Sequence, residues 1–238
     1  MAEPDSLRPS NDSSVDPAGD PADPAADPAG DGAADRRRTV VVAGHGGDLG
    51  TVRSHRNDPD PQVRAASVGA LDRLSELDEA DLVTALNDPS SVVARRAITA
   101  AAGRTASTAK GPLDHVLVRL VEGGDPELAE HAAWAIGERW EEIADHVDDE
   151  VVAAIERVAR GHADALVREA AVAALGSIGA TRSLPVILAA AADKATVRRR
   201  AVIALAPFDG PEVDAALAAA RVDRDWQVRQ AAEDLLAP

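Results

Sequence analysis

Between residues 167 and 191 the apolar side chains recur at helical intervals. Val167, Ala171, Ala174, Leu175 and Ile178 fall at i, i+4, i+7, i+8 and i+11. That spacing places them on one face of an α-helix. Gly176 and Gly179 mark the expected stop of that helix. Leu184, Ile187, Leu188 and Ala191 then give a second apolar stripe, with Pro185 near its start, where a missing N–H costs little. The predicted unit is a helical hairpin with one apolar side. A single copy cannot bury that side, whereas stacked copies can.

Copies are present. Val-Arg, with Leu eight residues after the Val, recurs from Val63-Arg64 to Leu71, Val167-Arg168 to Leu175, Val197-Arg198 to Leu205 and Val228-Arg229 to Leu236. Weaker copies run from Val93 to Ala101 and from Leu128 to Ile136, with Ala94 and Ala129 in place of the Arg. Most copies follow a turn with Asp: Asp58-Pro59, Asp88-Pro89, Asp125-Pro126, Asp193 and Asp223. Asp is expected to cap the helix there and Pro to preset φ. Arg64, Arg168, Arg198 and Arg229 are expected to be structural, pairing with Asp of a neighbouring turn, rather than a stripe for nucleic acid.

The predicted fold is all-α: a right-handed α-solenoid of stacked hairpins over residues 36–238. The hairpins are read at about 36–57, 58–86, 87–120, 121–158, 159–191 and 192–220, with a terminal helix at 221–238 whose outward Glu233 and Asp234 suit a capping position. Residues 1–35 are Asp-Pro-Ala-rich, with almost no large apolar side chain, and read as a disordered acidic tail. The stretch Val-Val-Val-Ala-Gly-His-Gly-Gly-Asp at 40–48 has the composition of a dinucleotide loop but the wrong glycine spacing, and no second strand follows. Gly44 and Gly47 instead repeat the interval of Gly176 and Gly179, so 36–57 reads as a degenerate first hairpin.

The Asp-Pro-x-x-Val-Arg-x-x-Ala-x-x-Ala-Leu-Gly core resembles HEAT-like repeats of the kind named after the phycobilisome lyases. Residues 43–48 and 223–236 also resemble short acidic HEAT-repeat proteins of halophilic archaea. The resemblance implies the solenoid fold. It also brings two enzymatic associations, a bilin-lyase role and a HEAT-type oxidoreductase like deoxyhypusine hydroxylase, in which His-Glu pairs on successive repeats hold two irons.

Composition narrows the function classes. Half of the formal charge of −16 lies in residues 1–35; lysine is confined to Lys110 and Lys194. An acidic surface with Arg in place of Lys fits a salty cytoplasm, where a Debye length of ~3 Å in molar salt screens self-repulsion. Cysteine is absent, which excludes disulfides and thiolate sites. No segment has the length and hydropathy of a signal peptide or membrane span, so a cytoplasmic protein without membrane contact is expected. Residues 121–150 carry −10 and residues 151–208 carry +4, a division that suits protein partners. The overall acidity counts against nucleic acid.

Candidate chemistry is sparse. None of the six histidines is followed by Glu, and Glu130-His131 occurs once in reverse order, so no metal site and no cofactor are expected. The acidic run at 141–150 lacks an EF-hand loop, and no nucleophile motif occurs. The leading expectation is a non-enzymatic scaffold or adaptor for an unidentified protein partner; the alternative is an accessory enzyme of the lyase or oxidoreductase kind. The repeat is most strongly broken at 121–158. Arg139 and Trp140, in the polar setting Glu138-Arg139-Trp140-Glu141, are the candidate partner-binding residues, with packing under the long connection as the competing reading for Trp140. Trp134 lies in the apolar phase and reads as core, and Trp226 as packing the last helix on the stack.

Overall fold

The computed structural model describes residues 28–104, 111–140 and 148–237. Among these are thirteen α-helices and one short 3₁₀ turn (Thr181–Ser183): α1 Pro28–Gly46, α2 Leu49–Ser54, α3 Pro61–Arg73, α4 Glu79–Leu86, α5 Ser91–Ala102, α6 Pro112–Val121, α7 Pro126–Arg139, α8 Asp149–Gly161, α9 Ala165–Ile178, α10 Leu184–Ala190, α11 Ala195–Ala204, α12 Pro211–Ala220 and α13 Trp226–Leu236. No strand occurs among the described residues. The chain is an α-solenoid, as the periodicity predicts.

The helices form two rows. Each odd helix packs on the next odd helix, from α1 on α3 through to α11 on α13. The even helices form a second row, in which α4 meets α6, α6 meets α8, and α8 meets α10. The lead residues Val63, Val167, Val197 and Val228 are buried, as are Leu71, Leu175 and Leu205. Leu236, at the equivalent position of α13, is exposed because no described helix follows to cover it.

Between the rows, the even helices of the middle pack on the odd helix that follows them rather than on the one before, whereas α2 packs on both α1 and α3. α4 packs on α5, α6 on α7 and α8 on α9. Loop length accounts for this. Four residues join α4 to α5 and α6 to α7, and three join α8 to α9, whereas nine lie between α5 and α6 and between α7 and α8. Short connections hold antiparallel neighbours together. The N-terminal boundary also differs: α1 begins at Pro28, so residues 28–35 are helical rather than part of a tail. The rest of the expected tail, residues 1–27, lies outside the described residues.

Close approach within the odd row depends on glycine. A Cβ on Gly176 would lie 2.7 Å from Ala204 Cα and Cβ, and one on Gly44 would lie 2.7 Å from Ala70 Cβ. Gly176 is therefore a packing residue inside α9. The helix stops at Gly179, whose φ of 67° puts it in the left-handed region that favours Gly at a C-cap. Gly44 and Gly47 (φ 77°) repeat the same two roles, which is what the glycines at 44–47 do in place of phosphate binding.

Candidate functional site

The recurring Arg is a strut between consecutive loops. Arg64 donates from Nε and Nη2 to the two carboxylate oxygens of Asp88, at 2.8 Å each. Its Nη1 donates to the carbonyls of Asp58 and Pro59 in its own loop. Arg168 does the same with Asp193 (2.7 Å each) and with His162 and Ala163 O. Arg198 reaches Asp223 and Asp193 O. Arg229 keeps only the backbone half, to Asp223 O at 2.8 Å. Arg36 supplies an unforeseen first rung, with Nε 2.7 Å and Nη2 3.0 Å from Asp58. Planar bidentate pairing of this kind suits Arg and not Lys.

These bonds shift titration in the expected senses. The hydrogen bond from its Arg holds the carboxyl of Asp58, Asp88, Asp193 and Asp223 below the usual range, against an opposing effect of burial. The same bonds raise Arg36, Arg64, Arg168 and Arg198 above the usual guanidinium value.

The Asp turns divide the labour in a way the sequence reading merged. Asp58, Asp88, Asp193 and Asp223 receive Arg. Capping at Asp-Pro belongs to Asp60 before Pro61 and to Asp125 before Pro126, whose side chains accept from the following backbone N–H groups. Asp164 and Asp225 cap α9 and α13 likewise. Where the Arg is missing, its receiver is missing too. Ala94 is followed in the next loop by Gly123, and Ala129 by His162, at the position that carries Asp elsewhere. The Arg and its receiving Asp are thus absent together in the middle repeats.

A different fastening serves the middle of the stack, and it uses a residue expected at an interface. Arg139 is only 4% exposed. It donates to Asp114 Oδ1 (3.1 Å from Nη2) and from Nη1 to the carbonyls of Arg104 (2.8 Å) and Ala101 (3.3 Å). Asp114 Oδ2 in turn accepts from Gly111 N. Trp140 is fully buried. Neither residue presents surface to a partner, which corrects the expectation for both: they close the C-terminal end of α7 and both side chains are buried.

The other two tryptophans are reversed as well. Trp134 is 42% and Trp226 64% exposed, although the sequence reading placed both against the stack. Trp134 misses the core because Ala133 and Ala135-Ile136, its neighbours, take the buried directions of α7. Trp226 opens the last helix, where no described helix covers its outer side.

Both lie in grooves of the odd row. One groove, about 690 Å³, runs between α7 and α9, with Trp134, Glu130, Glu138, Leu166 and Ala170 on its walls and Arg200 of α11 at one end. The other, about 460 Å³, lies between α11 and α13, with Arg199, Ile203, Trp226, Gln227 and Gln230. They meet at α11. Leu166 and Ile203 are themselves exposed, so each groove pairs an exposed indole with an exposed aliphatic side chain. Among the described residues no group of three or more His, Asp or Glu side chains can hold a metal ion, and no helix is long and apolar enough to cross a membrane.

Two rows of stacked helices joined by short Asp-bearing loops make the described residues an α-solenoid. Residues 113–206 match a family described as HEAT repeats. No curated protein matches the chain. Among solved structures the fold is similar to a designed armadillo repeat protein in complex with the peptide (KR)4 (19% identity, TM-score 0.57) and to computationally designed armadillo repeat proteins for modular peptide recognition (20%, TM-score 0.55). Each alignment covers 79% of this chain and 98% of the other.

Proposed function

We propose that the protein is a non-enzymatic interaction scaffold that binds a segment of a partner protein along the exposed face of α7, α9, α11 and α13. One observation carries the reading: four of the large exposed apolar side chains, Trp134, Leu166, Ile203 and Trp226, lie in two grooves on one row of helices, an indole and an aliphatic side chain in each. Isolated exposed hydrophobics are ordinary on a surface, whereas an indole grouped with an aliphatic side chain in a groove suits an interaction site. Trp is also the residue most often found to dominate binding energy. The likeness of the fold to armadillo repeat proteins designed for modular peptide recognition supports a peptide-binding use of such a solenoid. The test is affinity capture in native salt with Trp134→Ala/Trp226→Ala, against Arg182→Ala on the other row. Partners should be lost from the first variant and kept by the second. Equal recovery from both would refute the reading.

The setting we propose is a high-salt cytoplasm, supported by the formal charge of −16 and the near absence of Lys. Thermal stability should then climb with KCl; equal midpoints in low and molar salt would remove this setting.

A further inference from the structure

On α7, Glu130, Trp134 and Glu138 follow one another at four-residue intervals. They therefore share one face of the helix, each about 6 Å along the axis from the next. The indole is exposed, with one carboxylate a turn before it and one a turn after it. No cation of the described residues forms an ion pair with Glu130 or Glu138. The cations nearest in the row are already engaged: Arg200 lies 3.6 Å from Glu169, and Arg95 pairs with Glu127. His131 Nδ1–H donates to the carbonyl of Glu127, within its own helix turn. The facing wall, on α9, presents the aliphatic Leu166, Ala170 and Ala173 together with Ser177 and with Glu169, which is paired to Arg200.

An aromatic face flanked by two unpaired carboxylates and opposed by the aliphatic Leu166, Ala170 and Ala173 matches one kind of side chain. It must be cationic at its tip and aliphatic along its stem. We propose that this groove takes a basic segment of a partner protein, seating an Arg or Lys on Trp134 between Glu130 and Glu138, with its methylene stem against Leu166 and Ala170. This deepens the interaction-face reading above and rests on it. A nucleic acid would bring its phosphates against the same two carboxylates, so the basic ligand is a peptide.

The experiment selects binders from a random peptide display library on the full chain. It then measures a labelled Arg-Ser-repeat peptide, with an Asp-Ser-repeat peptide as control, by fluorescence anisotropy. Selected peptides should be rich in Arg and Lys, and the Asp-Ser peptide should not bind. Trp134→Ala should weaken the Arg-Ser peptide about tenfold. Glu130→Gln/Glu138→Gln should weaken it about fivefold at low salt, a difference that disappears in molar KCl. The Gln variants keep size and exposure, and circular dichroism verifies the fold of each. Selected peptides that lack basic residues but still depend on Trp134 would overturn the basic-ligand inference while leaving the interaction face standing. Binding indifferent to Trp134, Leu166, Ile203 and Trp226, or no peptide binding at all, would overturn both.

Discussion

Arg139 and Asp114 provide the sharpest test of how the middle of the stack is held. Both side chains are almost wholly buried, and their closest contact is 3.1 Å. Arg139→Met removes the cation and three donors while keeping a stem of similar length. It leaves the Asp114 carboxylate buried without its partner and the carbonyls of Ala101 and Arg104 without their donor. Breaking a buried pair from one side costs about 3–5 kcal/mol. Asp114→Asn retains an oxygen for Gly111 N but strips the charge, which should cost about 2–3 kcal/mol. In the double variant no buried charge stands alone, so the total should fall short of the sum by about 1–3 kcal/mol. Urea unfolding at fixed salt, followed by far-UV circular dichroism, measures all three, with the slope checked for constancy. A loss of less than about 1 kcal/mol for Arg139→Met, or strict additivity, would refute this account of a buried strut.

Acidification should act through the Arg–Asp rungs. The carboxyls of Asp58, Asp88, Asp193 and Asp223 titrate below their unfolded values, so their contribution is complete above about pH 4 and is lost as pH falls through the folded values. Thermal midpoints from neutral pH downward should drop across that window, and Arg198→Gln should lessen the drop; parallel curves would contradict the assignment. Gly176→Ala must push Ala204 aside and should cost about 1–3 kcal/mol, whereas Gly46→Ala, which meets nothing within 4 Å, should stay within ~0.5 kcal/mol; denaturant midpoints compare the two. Trp140→Ala should cost about 3–5 kcal/mol and Trp226→Ala less than ~0.5 kcal/mol, and equal losses on melting would show that the two rings do not differ in burial as described.

The fold was legible because a solenoid writes its core at a fixed period. Val63, Val167, Val197 and Val228 could be read as one structural position without knowing any contact between them. The pairing of Arg with a neighbouring Asp was legible for the same reason. The pairing between the rows was less so, because which odd helix an even helix packs on depends on loop length and on contacts beyond the hairpin. Arg36 was missed as a rung because the lead position of its repeat is Asp35, not Val, so the Val-Arg signature is absent. The tryptophans were misassigned for a geometric reason. Four residues separate Trp134 from Glu130 and from Glu138, an exposed stripe, yet alanines adjoin it in sequence and mimic a core setting. Trp140 has charged neighbours in sequence but caps α7 with its ring fully buried, a setting that residue types along the chain do not reveal.

A break in the repeat therefore carries two meanings that the sequence alone does not separate. Ala94 and Ala129 remove the Arg, and Gly123 and His162 remove the Asp that would receive it, so no buried charge is stranded by either change. Arg139 and Asp114 then fasten the same region from inside, tying the end of α5 to α6 and α7. That is a substitution of one structural device for another and implies no binding. The functional signal in this stretch is separate: an indole left in solvent on a helix whose neighbouring positions are all committed to the core. A side chain of that size is exposed at a cost in apolar area, about 25 cal/mol for each Å² left in water. A binding role supplies the return that packing does not. Irregular repeats locate the region, and exposure against the local packing pattern picks the residue, which is why Trp134 and not Trp140 is the position to vary first in any search for the partner.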